Sequence, residues 1–225
     1  MGPLRPDGRL ARQLAQFMQG LLDRTDAETA AAMRAGVCGF SAKGALRIGD
    51  TAPPFALPDQ TGRIVGSAEL LAAGPLVVTF FRGNWCPFCT LALRALNGVI
   101  PLLRKEGARV VAISPQSARD SETMAERNGI DFPLLSDPGN TTARDWGVEW
   151  EVAEALRPIY AKLGHPARSA DTPDAWRLPL PSGFVVRTDG RIDYAQVELC
   201  PSLRMEPDDA VAAVRRLRTP AAQTS

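Results

Sequence analysis

Phe80-Phe81-Arg82-Gly83-Asn84-Trp85-Cys86-Pro87-Phe88-Cys89 is the stretch whose reading decides the fold. The apolar run Leu76 to Phe81 reads as a buried strand that enters a Trp-Cys-x-x-Cys turn. Behind the turn, Leu91, Leu93, Leu96, Ile100 and Leu103 mark the apolar face of a helix. The first Cys therefore stands where free backbone N–H groups and the positive end of a helix dipole favour an anion. A thiol there loses its proton more easily, and the thiolate is the reactive form. The second thiol is close enough to attack whatever the first becomes. The pattern points to a reversible dithiol/disulfide, or to a sulfenic acid resolved by its neighbour.

Two other uses of the pair fit less well. Structural zinc wants four ligands, mostly cysteine or histidine. The remaining cysteines, Cys38 and Cys200, stand singly, and His165 is the single histidine, so no metal site and no other cofactor is expected. Two inert core cysteines would not need Trp85 before the pair, Pro87 inside it and a strand-to-helix handover around it.

The 225 residues carry 26 basic and 25 acidic side chains, with no basic block, which argues against a nucleic-acid partner. No apolar run reaches membrane-spanning length. Arg9, Arg12 and Gln13 interrupt the N-terminal region, so it shows no secretory signal and the cytoplasm is the expected location. Four cysteines in that compartment point to catalysis more than to a disulfide framework.

Outward from the turn, three segments follow. Residues 1–45 read as a helical extension, with Leu10, Leu14, Phe17, Met18, Leu21 and Leu22 at helical spacing. Such a stripe serves as a packing face or as the face of a homodimer. Thr25-Asp26-Ala27-Glu28 fits a capping box, and Gly36 to Lys43 reads as a loop. Residues 46–217 form the main domain. There Asp59 to Gly62 makes a turn before a hairpin strand, Arg63 to Val65. Strands are expected at 76–81, 109–114 and 132–135, with helices after Cys86, at 117–128 and at about 142–146. Residues 152–163 suggest a helix, and 164–179 a polar loop carrying His165 and Trp176. A hairpin, 183–187 with 192–199, and a helix at 207–217 close the domain; 218–225 read as a flexible tail. Strand–helix alternation implies an α/β fold with parallel strands and helices on both faces. A CxxC in that setting reads as thioredoxin-like, a central mixed sheet flanked by helices.

With these pieces placed, the chain resembles the AhpC/TSA family, the peroxiredoxins. Gly49-Asp50-x-Ala52-Pro53-x-Phe55 is similar to the family's entry motif. Residues 110–117, VVAISPQS, and 132–148, FPLLSDPGNTTARDWGV, resemble its later strands and the turn between them. Residues 183–192, GFVVRTDGRI, resemble its final hairpin. The site departs from the family pattern, which is Pro-x-x-x-Thr-x-x-Cys with the last Cys attacking peroxide. Those positions fall on Arg82, Cys86 and Cys89, so Cys86 stands where the Thr would be. The family's thiolate-stabilising Arg, counted back from Phe184, falls on Pro181. Arg82 is a candidate to supply that charge, with Asn84 and Trp85 at the pocket rim. Trp-Cys-Pro-x-Cys with a Pro before the last hairpin resembles thioredoxin-type oxidoreductases instead, in which a cis-Pro faces the pair.

The resemblance implies a peroxidase that reduces hydrogen peroxide or organic hydroperoxides through a Cys86–Cys89 disulfide, recycled by a thioredoxin-like or small-thiol reductant. By the peroxiredoxin alignment Cys89 attacks, and by the thioredoxin analogy Cys86 does. Cys89 is the expectation for hydroperoxides, with Cys86 the more exposed sulfur and Pro181 cis. A disulfide oxidoreductase, or a sensor whose CxxC only reports oxidation, are the alternatives. His165 reads as surface decoration, and Cys38 and Cys200 as passive thiols.

Overall fold

The computed structural model describes residues 8–27, 29–31, 44–162, 164–165, 176–198, 200 and 203–218. Cys38, Glu28 of the capping box, the 36–43 loop and nearly all of the tail lie outside them. In chain order the helices are α1 (Arg9–Leu22), α2 (Ser67–Ala73), α3 (Pro87–Asn97), α4 (Ile100–Lys105), α5 (Ala118–Asn128), α6 (Thr141–Asp145), α7 (Arg157–Lys162) and α8 (Pro207–Arg218). The strands are β1 (Ala56–Pro58), β2 (Ile64–Gly66), β3 (Leu76–Phe80), β4 (Arg109–Ser114), β5 (Leu134–Ser136), β6 (Glu149–Glu151), β7 (Arg177–Pro179), β8 (Ser182–Val186) and β9 (Ile192–Val197). Five strands form the central sheet in the order β5-β4-β3-β8-β9. β3, β4 and β5 run parallel, and β8 and β9 join antiparallel. The sheet is therefore mixed, and the final hairpin supplies its antiparallel half.

β3 is the central strand and is buried on both faces, which is why it reads as a continuous apolar run. Its two faces feed two cores. On one, Phe184 meets Phe80 and Trp146 edge to face and Phe80 is tilted against Trp146, with centroids 5.1 to 6.2 Å apart. On the other, Val77, Phe81 and Val185 meet Phe88, Leu93, Leu96 and helix α8. Each large side chain sealed this way contributes roughly 2–3 kcal/mol of burial.

Local sequence chemistry sets the helix ends. Ser117 accepts the Asp120 N–H at 3.1 Å and starts α5; Gly129, at φ 60°, ends it. The single helix expected behind Cys86 is two, α3 and α4. Pro101 removes one backbone donor and Gly98 weakens the junction. Ser136-Asp137-Pro138-Gly139-Asn140 is the expected turn, and Asp137 accepts the N–H groups of Thr142 and Ala143 at the start of α6. Helix α2 and the β6–β7 pair are not anticipated from the sequence; β7 replaces the end of the expected polar loop, whose residues 166–175 lie outside those described.

The N-terminal stripe packs on its own chain. Leu10 and Leu14 are buried in the core that also holds Phe88 and Leu93, and Phe17 meets Phe88 edge-on at 5.2 Å. The buried Glu206 carboxylate takes the N–H groups of Leu10 and Ala11 at 3.0 and 2.8 Å, capping α1 from across the chain. No described helix is long and apolar enough to cross a membrane.

Candidate active site

Phe81 extends β3 by one more bond, its N–H on the Ile113 carbonyl at 3.0 Å, and the chain then turns through Arg82 to Trp85. Gly83 sits at φ 151°, where a Cβ would stand 2.7 Å from the Trp85 indole nitrogen. Only glycine lets the turn close this tightly. The Asn84 N–H donates to Gln116 Oε1 at 2.7 Å, and its side-chain amide to Asp120 at 3.2 Å, tying the turn to the start of α5.

Cys86 is the N-cap residue of α3, and Pro87 takes the first helical position, which its fixed φ suits. The Cys86 carbonyl receives the N–H groups of Cys89 and Thr90 at 3.0 and 3.2 Å. Cys89 lies in the first turn, and its sulfur accepts the Arg82 backbone N–H at 3.5 Å. The sequence expectation that Cys86 is the more exposed is corrected. Cys86 is 2 % and Cys89 1 % exposed, because both belong to the buried core cluster that also holds Phe81, Phe88 and Met205.

The two thiols differ in charge, not in exposure. A hydrogen bond from the Cys89 thiol, helped by Arg82 and Arg204 and opposed by burial, brings Cys86 from its ordinary 9.0 down to about 6. Burial and the donation to Cys86 push Cys89 well above its ordinary value. The two directions favour the thiolate on Cys86 and the proton on Cys89.

Arg82 is 5 % exposed, with its guanidinium over the rings of Tyr160 at 5.3 Å and Trp150 at 6.0 Å. Burial alone would lower it, but Tyr160 and the two sulfurs outweigh burial and raise it. Arg204, 8 % exposed, is the residue the sequence reading missed. It stands just ahead of α8 and bonds the Cys200 and Leu203 carbonyls. Met205 beside it rests on Gly183, where a Cβ would come within 2.6 Å of the Met205 side chain. That close contact sets the segment against β8, which pairs with β3. Burial and the neighbouring Arg82 pull the Arg204 guanidinium below its usual value, against the attraction of the thiols. Nε and Nη2 of both arginines are buried with no acceptor among the described residues.

The other expected residues distribute unevenly. Trp85 meets the site through its rim, and its ring lies 5.6 Å from Tyr160 and 4.7 Å from His165. His165 is not surface decoration: it is 6 % exposed and stacked on Trp176 at 4.8 Å. Cys200 is half-buried, next to Arg204. Pro181 is buried just ahead of β8, but no peptide bond among the described residues is cis. The cis-Pro181 expectation is therefore overturned.

A family model matches residues 48–195, and its description is the AhpC/TSA family. The chain belongs to the AhpC/TSA family. A chloroplastic peroxiredoxin Q of Sedum lineare is 39% identical over 100 residues, 44% of this chain and 53% of its own. A Mycobacterium tuberculosis protein named a peroxiredoxin is 29% identical over 175 residues, 77% of this chain and 99% of its own. The chain thus spans about half the length of the plant relatives and nearly all of the mycobacterial one. The crystal structure of peroxidoxin BcpB from Mycobacterium tuberculosis superposes with a TM-score of 0.60 at 26% identity, covering 77% of this chain and 99% of that one. The AhpC/TSA frame thus carries here a Cys-Pro-Phe-Cys turn with two buried arginines from outside the final hairpin.

Proposed function

We propose that this AhpC/TSA protein is a thiol-dependent peroxidase whose nucleophile is Cys86 and whose resolving residue is Cys89. The placement of Cys86 carries the assignment: it is the N-cap residue of α3, at the end where helix N–H groups are free, with Arg82 and Arg204 near, a setting that favours the thiolate there and the proton on Cys89. This reverses the expectation drawn from the family alignment, in which Cys89 takes the attacking position.

In this reading the Cys86 thiolate attacks one peroxide oxygen. The O–O bond breaks, the sulfur becomes a sulfenic acid, and the other oxygen leaves as an alkoxide or hydroxide that takes up a proton. The free N–H groups of Arg82 and Arg204 would hold the peroxide and the leaving oxygen, the task of the Thr that Cys86 replaces. Cys89 then attacks the Cys86 sulfur, water departs, and the disulfide forms. The tethered spacing makes this step effectively unimolecular. Two equivalents of an external thiol restore the dithiol.

Peroxide consumption with dithiothreitol by the unmodified protein, Cys86→Ser and Cys89→Ser tests the reading, with insulin reduction run beside it. Cys86→Ser should lose turnover by at least about 100-fold. Cys89→Ser should still form one dimedone-reactive sulfenic acid, on Cys86. Sulfenic acid trapped on Cys89 of Cys86→Ser, with none on Cys86 of Cys89→Ser, would reassign the nucleophile. Fast insulin reduction without peroxide turnover would favour a disulfide oxidoreductase.

A further inference from the structure

Resting on that reading, the charges around the dithiol define what reduces it. Arg82 and Arg204 lie buried beside the pair, and each keeps two N–H-bearing nitrogens without an acceptor among the described residues. The carboxylates that are equally buried are engaged elsewhere. Asp59 holds the Thr61 and Arg63 amides, Asp137 those of Thr142 and Ala143, and Glu206 those of Leu10 and Ala11. Cys200 and Leu203 give Arg204 their carbonyls, and Arg82 makes a side-chain hydrogen bond with Tyr160 and lies over the Tyr160 and Trp150 rings, which still leaves Nε and Nη2 of each arginine without an acceptor among the described residues. In the reduced protein the Cys86 thiolate answers one of the two cations. Closing the Cys86–Cys89 disulfide removes it. The oxidised chamber then holds two guanidinium cations and no anion from these groups, in a site that water barely reaches. That is the state the reductant meets.

We propose that the oxidised chamber selects a small thiol bearing a carboxylate as its reductant, and that Arg82 and Arg204 are the groups that receive it. The depth of the pair favours a small molecule: Cys86 and Cys89 are 2 % and 1 % exposed. The uncompensated charge favours an anion, because a buried cation without a counter-charge gains more from one than an exposed cation does. The exchange balances. A thiolate RS⁻ attacks one sulfur of the disulfide, the S–S bond breaks, and the other cysteine leaves as a thiolate, giving a mixed disulfide. A second RS⁻ attacks the reductant's sulfur in that mixed disulfide, releasing RSSR and the second cysteine thiolate. The enzyme gains two electrons, each RS⁻ gives one, and Cys89 takes its proton from solvent.

The test uses the full chain, oxidised with one equivalent of hydrogen peroxide and, separately, with diamide. Mass spectrometry confirms the Cys86–Cys89 bond. Reduction is then followed with 3-mercaptopropionate, 2-mercaptoethanol and cysteamine at matched thiolate concentrations and low salt. The expected order is anionic, then neutral, then cationic, spanning on the order of tenfold. Arg204→Gln should compress the order. Equal rates in the unmodified protein, or a cationic thiol in front, overturn the proposal, as does an order that Arg204→Gln leaves intact. If Arg204→Gln does not fold, Arg82→Gln takes its place: an order that this variant leaves intact overturns the proposal. Failure of peroxide to form the bond, with diamide forming it, would count against the peroxidase reading while the charge order is still measured. Failure of both oxidants overturns the two together.

Discussion

At the residue scale, the assignment turns on which sulfur carries the charge. Cys86 and Cys89 are equally buried, so access does not distinguish them. What does is the direction of one hydrogen bond and the nearness of two cations. The peroxide rate should therefore rise as pH passes through about 6, where Cys86 loses its proton, and level off above. Thiolate absorbance near 240 nm in Cys89→Ser and in the unmodified protein checks this. Arg82→Gln should move that midpoint upward, and its loss of rate should be greatest near pH 6. A midpoint near 9 in the unmodified protein would mean that the burial cost has won. Cys86, Cys89 and Arg82 were legible in the sequence because a stretch of eight residues holds them together. Arg204 and Tyr160 were not: they are remote in sequence, and only packing brings Met205 onto Gly183 and Arg82 under the Tyr160 ring.

Elements tell a similar story about what spacing can reveal. β4 matches its expected range, 109–114, because a buried parallel strand is a continuous apolar run with sharp ends. β6 and β7 have three residues each, and 25 residues separate Glu151 from Arg177, so no local period marks them. The α1 stripe was visible, but its use was not, since a packing face and a dimer face have the same spacing. Its anchors are Phe17 on Phe88 and Glu206 on the first free N–H groups of the helix. Glu206→Ala leaves those two N–H groups without their acceptor and should cost about 1–2 kcal/mol. Phe17→Ala, at a half-buried site, should cost about 2 kcal/mol. Urea unfolding measures both. If neither changes the midpoint, α1 is held by something other than these contacts.

Across the whole molecule, the charge asymmetry of the pair becomes a dependence of stability on pH. In the unfolded chain Cys86 titrates at its ordinary 9.0; in the fold it titrates at about 6. Between those values the unfolded state binds more protons at this position, so stability rises with pH. The contribution is complete above about 9 and is lost as pH falls through about 6. Cys89 works the other way, because its folded value is raised: its neutral form is preferred, and stability drains away above the ordinary thiol range. Reduced protein should thus gain stability from pH 6 towards 9 and then give it back. Other groups titrate too, so the quantity to measure is a difference, calorimetric Tm of the reduced protein minus that of Cys86→Ala, at several pH values. The difference should move in favour of the unmodified protein by at most about 1.4 kcal/mol per pH unit within that window. The disulfide form has neither thiol to titrate, so its own difference from Cys86→Ala should stay flat through the same range. A reduced-protein difference that is equally flat would show that the fold does not hold Cys86 as a thiolate, and the assignment of the nucleophile would fall with it.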